Sequence, residues 1–105
     1  MSTNEKPRYY SESRQRMLRI MLALAGREFE GAANGELAKD LSISASNVTH
    51  DLHNLMYAGL AEEIPDTGRW RLTPRLSQIG LAMLDNVNKT QRKVDEIQQR
   101  YTRKP

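Results

Sequence analysis

The sequence predicts a mainly α domain with a small β-hairpin, followed by a long C-terminal helix. Three observations carry this expectation. Apolar residues recur at spacings of three and four through Met17–Leu24, Leu37–Leu41 and Val48–Met56. The period changes to alternation on either side of Pro65-Asp66-Thr67-Gly68. Helical spacing then resumes after Thr73-Pro74, and no further proline interrupts it before Pro105. With 105 residues, 38% hydrophobic and 28% charged, the chain can build one small core but not a deep substrate cavity as well. An enzyme is not expected, and no catalytic residue is assigned.

Residues 1–10 lack periodicity and read as a flexible arm in which Lys6, Arg8, Tyr9 and Tyr10 mix charge with aromatic rings. Ser11 or Ser13 can cap a first helix carrying Met17, Ile20, Met21 and Leu24, and Gly26 stops it. Gly31 to Gly35 is a loop, with Asn34 placed to cap a second helix from Glu36 to Leu41. Ser42-Ile43-Ser44 turns the chain, and Ser44 caps a third helix whose Val48, Leu52, Leu55 and Met56 face inward. Gly59 ends that helix. Strands over Leu60–Ile64 and Arg69–Thr73 flank the turn, with Trp70 and Leu72 on one face and Arg69 and Arg71 on the other. Trp70 is expected in the core rather than as a stacking platform, because it alternates in phase with Leu72.

Helix, helix-turn-helix, hairpin, helix is the order of a winged helix-turn-helix, expected here over residues 11–85 with a helical extension over 86–105. On the third helix, burial of Val48, Leu52 and Leu55 leaves Ser46, Asn47, Thr49, His50 and His53 as donors and acceptors for base edges. Asn47 is the residue best suited to reading adenine. Ser44, Arg69, Arg71 and Arg75 are expected on the DNA backbone or in the wing, where Arg69 and Arg71 reach phosphates or a minor groove unless Glu62 or Glu63 pairs with them. The partner expected is double-stranded DNA.

Charge is unevenly distributed. Residues 1–26 hold five cations against two carboxylates, residues 27–66 two against eight, and residues 67–105 nine against three. The acidic middle contains the helix-turn-helix, so phosphate neutralisation falls to the flanks. The same acidity is the best support for the competing class, a winged-helix adaptor that binds protein and not DNA.

The run Glu36-Leu37-Ala38-Lys39-Asp40-Leu41-Ser42-Ile43-Ser44, then Ser46-Asn47-Val48-Thr49-His50 and Leu60-Ala61-Glu62, resembles the DNA-binding domain of the IclR family of bacterial transcription regulators. Gly68-Arg69-Trp70-Arg71-Leu72-Thr73, followed by Leu76, Ile79 and Gly80, is similar to that family's wing and linker-helix entry. The likeness covers roughly residues 14–85, and MarR-type regulators share much of it. It implies a dimeric, prokaryotic or phage DNA-binding regulator with the third helix as recognition helix. The sequence departs from the family in ending without an effector-binding domain, so no small-molecule sensing is expected. It also has His50 where Arg is common and Asp51 where an apolar residue is usual, changes expected to lower the positive charge at the groove.

Beyond residue 86, Val87, Thr90, Val94, Ile97 and Tyr101 alternate by three and four, a heptad seam that predicts a homodimer through Val87, Val94, Ile97 and Tyr101. His50 and His53 lack a third ligand at metal-site spacing, so no metal and no cofactor are expected. No apolar run approaches the ~20 residues of a membrane span, and a cytoplasmic, nucleoid-associated protein is expected.

Overall fold

A computed structural model describes residues 5–104, which divide into two compact units at Thr73/Pro74. The first four residues of the expected arm lie outside the described residues. Residues 5–10 turn on a hydrogen bond from Tyr10 N–H to the Pro7 carbonyl (3.0 Å), with Lys6 paired to Glu12.

In the first unit, helix α1 (Glu12–Leu24) is capped by Ser11, whose Oγ accepts the Arg14 N–H. Its inward face sets Ile20 and Leu24 in the core, and the chain leaves through Ala25 and a left-handed Gly26. Helix α2 (Asn34–Leu41) begins two residues earlier than the apolar pattern predicts. Ala33 stands at its N-cap without a side-chain bond, and Asn34 is instead its first residue, its amide donating to Thr49 Oγ1 at 2.5 Å. The expected cap thus becomes a tie between two helices. Helix α2 ends on Ser42 in the left-handed conformation (φ 55°), and the Ile43 N–H returns to the Ala38 carbonyl at 3.0 Å. That turn aims helix α3 (Ala45–Tyr57), capped as expected by Ser44 Oγ on Asn47 N–H (3.1 Å) and closed by Gly59 at φ 79°.

Strands β1 (Ala61–Glu63) and β2 (Trp70–Leu72) pair antiparallel in the register Ala61 to Leu72, Glu62 to Arg71 and Glu63 to Trp70. Ala32, read from sequence as loop, adds a single antiparallel bridge to Trp70 through two backbone bonds of 2.8 Å. The loop is drawn in so closely that a Cβ on Gly31, itself at φ 69°, would lie 2.7 Å from the Trp70 carbonyl oxygen. Only glycine fits there. Leu37, Val48, Leu52, Leu55, Ala61 and Trp70 close the core with Ile20, Leu24 and Ala32, and among the described residues every buried one precedes Thr73.

Helix α4 (Pro74–Thr102) forms the second unit as one uninterrupted helix of 29 residues with no buried residue.

Candidate nucleic-acid interface

Burial of Val48, Leu52 and Leu55 fixes which face of α3 looks outward. Ser46, Asn47 and His50 are exposed, and their side chains make no hydrogen bond among the described residues. Asn54 and Tyr57 extend the same exposed face, with Asn54 Nδ2 donating to the His50 carbonyl at 2.8 Å. Sequence reasoning missed these two, although their steps of four and seven from His50 place them on its face. Thr49 is engaged twice, donating to the Ala45 carbonyl (3.0 Å) and accepting from Asn34. His53 is half-buried, its ring edge-on to Trp70 at 5.3 Å and its Nδ1 2.8 Å from the Thr49 carbonyl. Thr49 and His53 therefore connect α3 to α2 and to the wing, while Ser46, Asn47 and His50 form the outward polar set.

Asp51 corrects an expectation. It does not face a groove but is 5% exposed against α1, where Arg16 donates through Nε to Oδ2 (2.6 Å) and through a terminal nitrogen to Oδ1 (2.9 Å). Two parallel bonds match the planar guanidinium to the carboxylate. The hydrogen bonds to Asp51 hold Arg16 above its ordinary pKa against a smaller opposing effect of burial. A charge at this interior position is tolerated because its partner arrives from the neighbouring helix.

The arginines of the wing are held by partners within the chain. Arg69, expected on phosphates, is turned inward: Nε donates to the Glu30 carbonyl (2.9 Å), and the terminal nitrogens reach Glu36 (2.7 and 3.2 Å) and the Gly31 carbonyl (3.2 Å). The cause is the Ala32 to Trp70 bridge, which lays two loop carbonyls and the first turn of α2 beside β2. Arg27 joins the cluster at 3.3 Å from Glu36. The hydrogen bonds from Arg69, aided by both nearby cations, hold the Glu36 carboxyl below its ordinary pKa. Arg71 donates through Nε to Glu62 at 2.9 Å, the cross-strand pairing foreseen as the alternative to phosphate contact, and its terminal nitrogens remain at a half-exposed surface. Arg75 stands on the first turn of α4.

Three of the eight acidic residues in 27–66, Glu36, Asp51 and Glu62, are thus neutralised by arginines within the fold. Part of the acidity of the middle segment is offset inside the fold. At the N-terminus of α3 a crevice of about 270 Å³ is lined by Gln15, Arg19, Ser44 and Asn47 among others, and Arg19 reaches the Leu41 carbonyl at 2.7 Å. Arg19 was not singled out from sequence, since nothing in α1 alone shows that it borders the turn before α3.

This geometry agrees with comparison to known proteins. Residues 14–63 match the family model described as bacterial regulatory protein, arsR family. Among solved structures, an IclR family transcriptional regulator from Brucella abortus superposes with a TM-score of 0.68 at 22% identity, over 82% of this chain and 32% of its own length. The chain has the fold of a winged helix-turn-helix. Lactococcus lactis ZitR is a weaker neighbour, with a TM-score of 0.48 at 21% identity over 97% of this chain and 69% of that one. No curated protein gives a significant match. The match to the Brucella regulator is one of fold, and the winged helix-turn-helix spans only part of that longer protein.

Proposed function

We propose that this protein is a sequence-specific regulator that binds duplex DNA as a homodimer, with α3 in the major groove. The carrying observation is the division of α3 into a buried apolar face and an outward set of Ser46, Asn47 and His50 whose side chains have no partner among the described residues. Asn47 reads adenine through its amide, a contact that contributes about 1–3 kcal/mol of discrimination. His50 donates to or accepts from a neighbouring base, and Asn54 and Tyr57 extend the contact along the groove.

Backbone contact in this reading comes from the Ser44 hydroxyl, the terminal nitrogens of Arg71, Arg75, and Arg19 beside the α3 N-terminus, where helix dipole and backbone N–H groups favour an anion. Arg69 serves as the brace that holds the wing against α2. The adaptor alternative loses part of its support, since three of the eight carboxylates of the acidic middle are paired with arginines inside the fold. Fluorescence-anisotropy titration against enriched and random duplexes tests the proposal: Asn47→Ala is expected to lower affinity for the enriched duplex about tenfold or more with little change on random DNA. Equal binding of both duplexes by the unaltered protein would refute sequence-specific reading.

A further inference from the structure

Helix α4 leaves an apolar row exposed, broken by Thr90: Met83, Val87, Val94, Ile97 and Tyr101 are 51–83% exposed. Resting on the homodimer reading above, we propose that the occupant of this row is the same row of a second copy, paired parallel and in register as a two-stranded coiled coil. The orientation follows from the residues beside the seam. With Val87, Val94 and Tyr101 at one seam position of the heptad and Met83, Thr90 and Ile97 at the other, one flank carries Ile79, Asn86, Lys93 and Arg100, and the opposite flank Leu84, Gln91 and Gln98.

An antiparallel pair sets each flank against its own copy, so Lys93 and Arg100 meet the partner's cations. A parallel pair sets unlike flanks together: Ile79 meets Leu84, Asn86 meets Gln91, and Lys93 meets Gln98, with no like charges opposed. β-Branched Val87 and Val94 at successive seam positions also suit a parallel two-stranded coil.

Thr90 fixes the register. Its Oγ1 donates to the Asn86 carbonyl of its own helix at 3.0 Å, so the hydroxyl enters the seam already satisfied. Only in-register pairing places this polar position opposite itself; a slip by one heptad would set it against apolar side chains. By connectivity, the two Pro74 ends then start side by side, and both winged helices leave the same end of the coil. Antiparallel pairing would separate those ends by about 40 Å.

The chain contains no cysteine, so single cysteines report cleanly. Val87→Cys and Ile97→Cys variants of the full chain, one of them carrying a mass tag, oxidised separately and as an unfolded-and-refolded mixture, are read on non-reducing gels. Arg92→Cys, on the outer face, is the control. The expected result is a disulfide dimer from each seam variant alone, no mixed dimer, and cross-linking at least about tenfold slower for the control. Cross-linking only in the mixture would overturn the parallel arrangement while leaving a homodimer. A single-copy mass by light scattering would remove the dimer itself. Equal rates for the control would show that the disulfides report collisions and would refute the seam. Anisotropy titration of the unoxidised samples reports DNA binding separately, so loss of the coil and loss of the DNA reading are distinguishable.

Discussion

The outer face of α3 and the outer face of the hairpin look equally suited to DNA in the sequence, yet the fold treats them oppositely. On α3, Ser46, Asn47 and His50 stay outward without partners among the described residues. On the hairpin, Arg69 is bound to Glu36 and to two loop carbonyls, and Arg71 to Glu62. The difference is one of supply. The apolar face of α3 meets α1 and α2, so acceptors never reach its polar side, whereas β2 runs beside a loop and a helix N-terminus rich in oxygen atoms. An arginine next to carboxylates and bent carbonyls is recruited by the fold, and a count of cations is not a count of phosphate contacts.

The contrast can be broken on the side of the fold. The largest effect is expected from Arg16→Ala, which leaves Asp51 buried without its partner and should cost about 3 kcal/mol. Thermal denaturation would show it as a fall in Tm of more than about 10 °C. Gly31→Ala should follow at about 1–3 kcal/mol, because it forces a left-handed alanine whose Cβ meets the Trp70 carbonyl. A Tm unchanged by either would mean that the loop and α1 are not held as described.

Contacts reserved for the ligand should behave in the reverse way. Asn47→Ala and His50→Ala should leave Tm within about 0.5 kcal/mol of equivalent stability, as expected for exposed side chains outside the packing. Their effect should fall on selectivity between duplexes.

The smallest effect concerns the brace. Glu36 has a folded-state pKa below its unfolded value, so its stabilising share is fully present above the unfolded pKa and is lost as pH falls through the folded one. Glu36→Gln should flatten the acid side of the stability profile, below the ordinary carboxylate range near pH 4, and leave neutral-pH DNA selectivity intact. An unchanged acid limb would detach Glu36 from the wing.

Much of the fold was legible because periodicity and caps report local geometry. Ser44, Gly59, the turn at Gly68 and the core positions of Trp70, Leu52 and Leu55 all follow from spacing and backbone chemistry. What was not legible depended on pairing across the chain. Asp51 reads as an acidic replacement for an apolar residue at the groove until α1 brings Arg16 to it, 35 residues away in sequence. Arg69 reads as a phosphate ligand until the Ala32 bridge folds Glu30 and Gly31 beneath it. Asn34 has a cap's identity but is used as a link to Thr49. Each departure places a polar side chain with a partner distant in sequence, which no local pattern encodes.

The most direct test of the central claim is a salt-series anisotropy titration comparing the unaltered protein, the Asn47→Ala, His50→Ala double variant and Arg69→Ala on enriched and random duplexes. The double variant is expected to lose preference for the enriched duplex while keeping its salt slope, and Arg69→Ala to keep both wherever it remains folded. A double variant that retains full selectivity, alongside an Arg69→Ala protein whose salt slope falls by about one, would contradict the account and return the DNA contact to the wing.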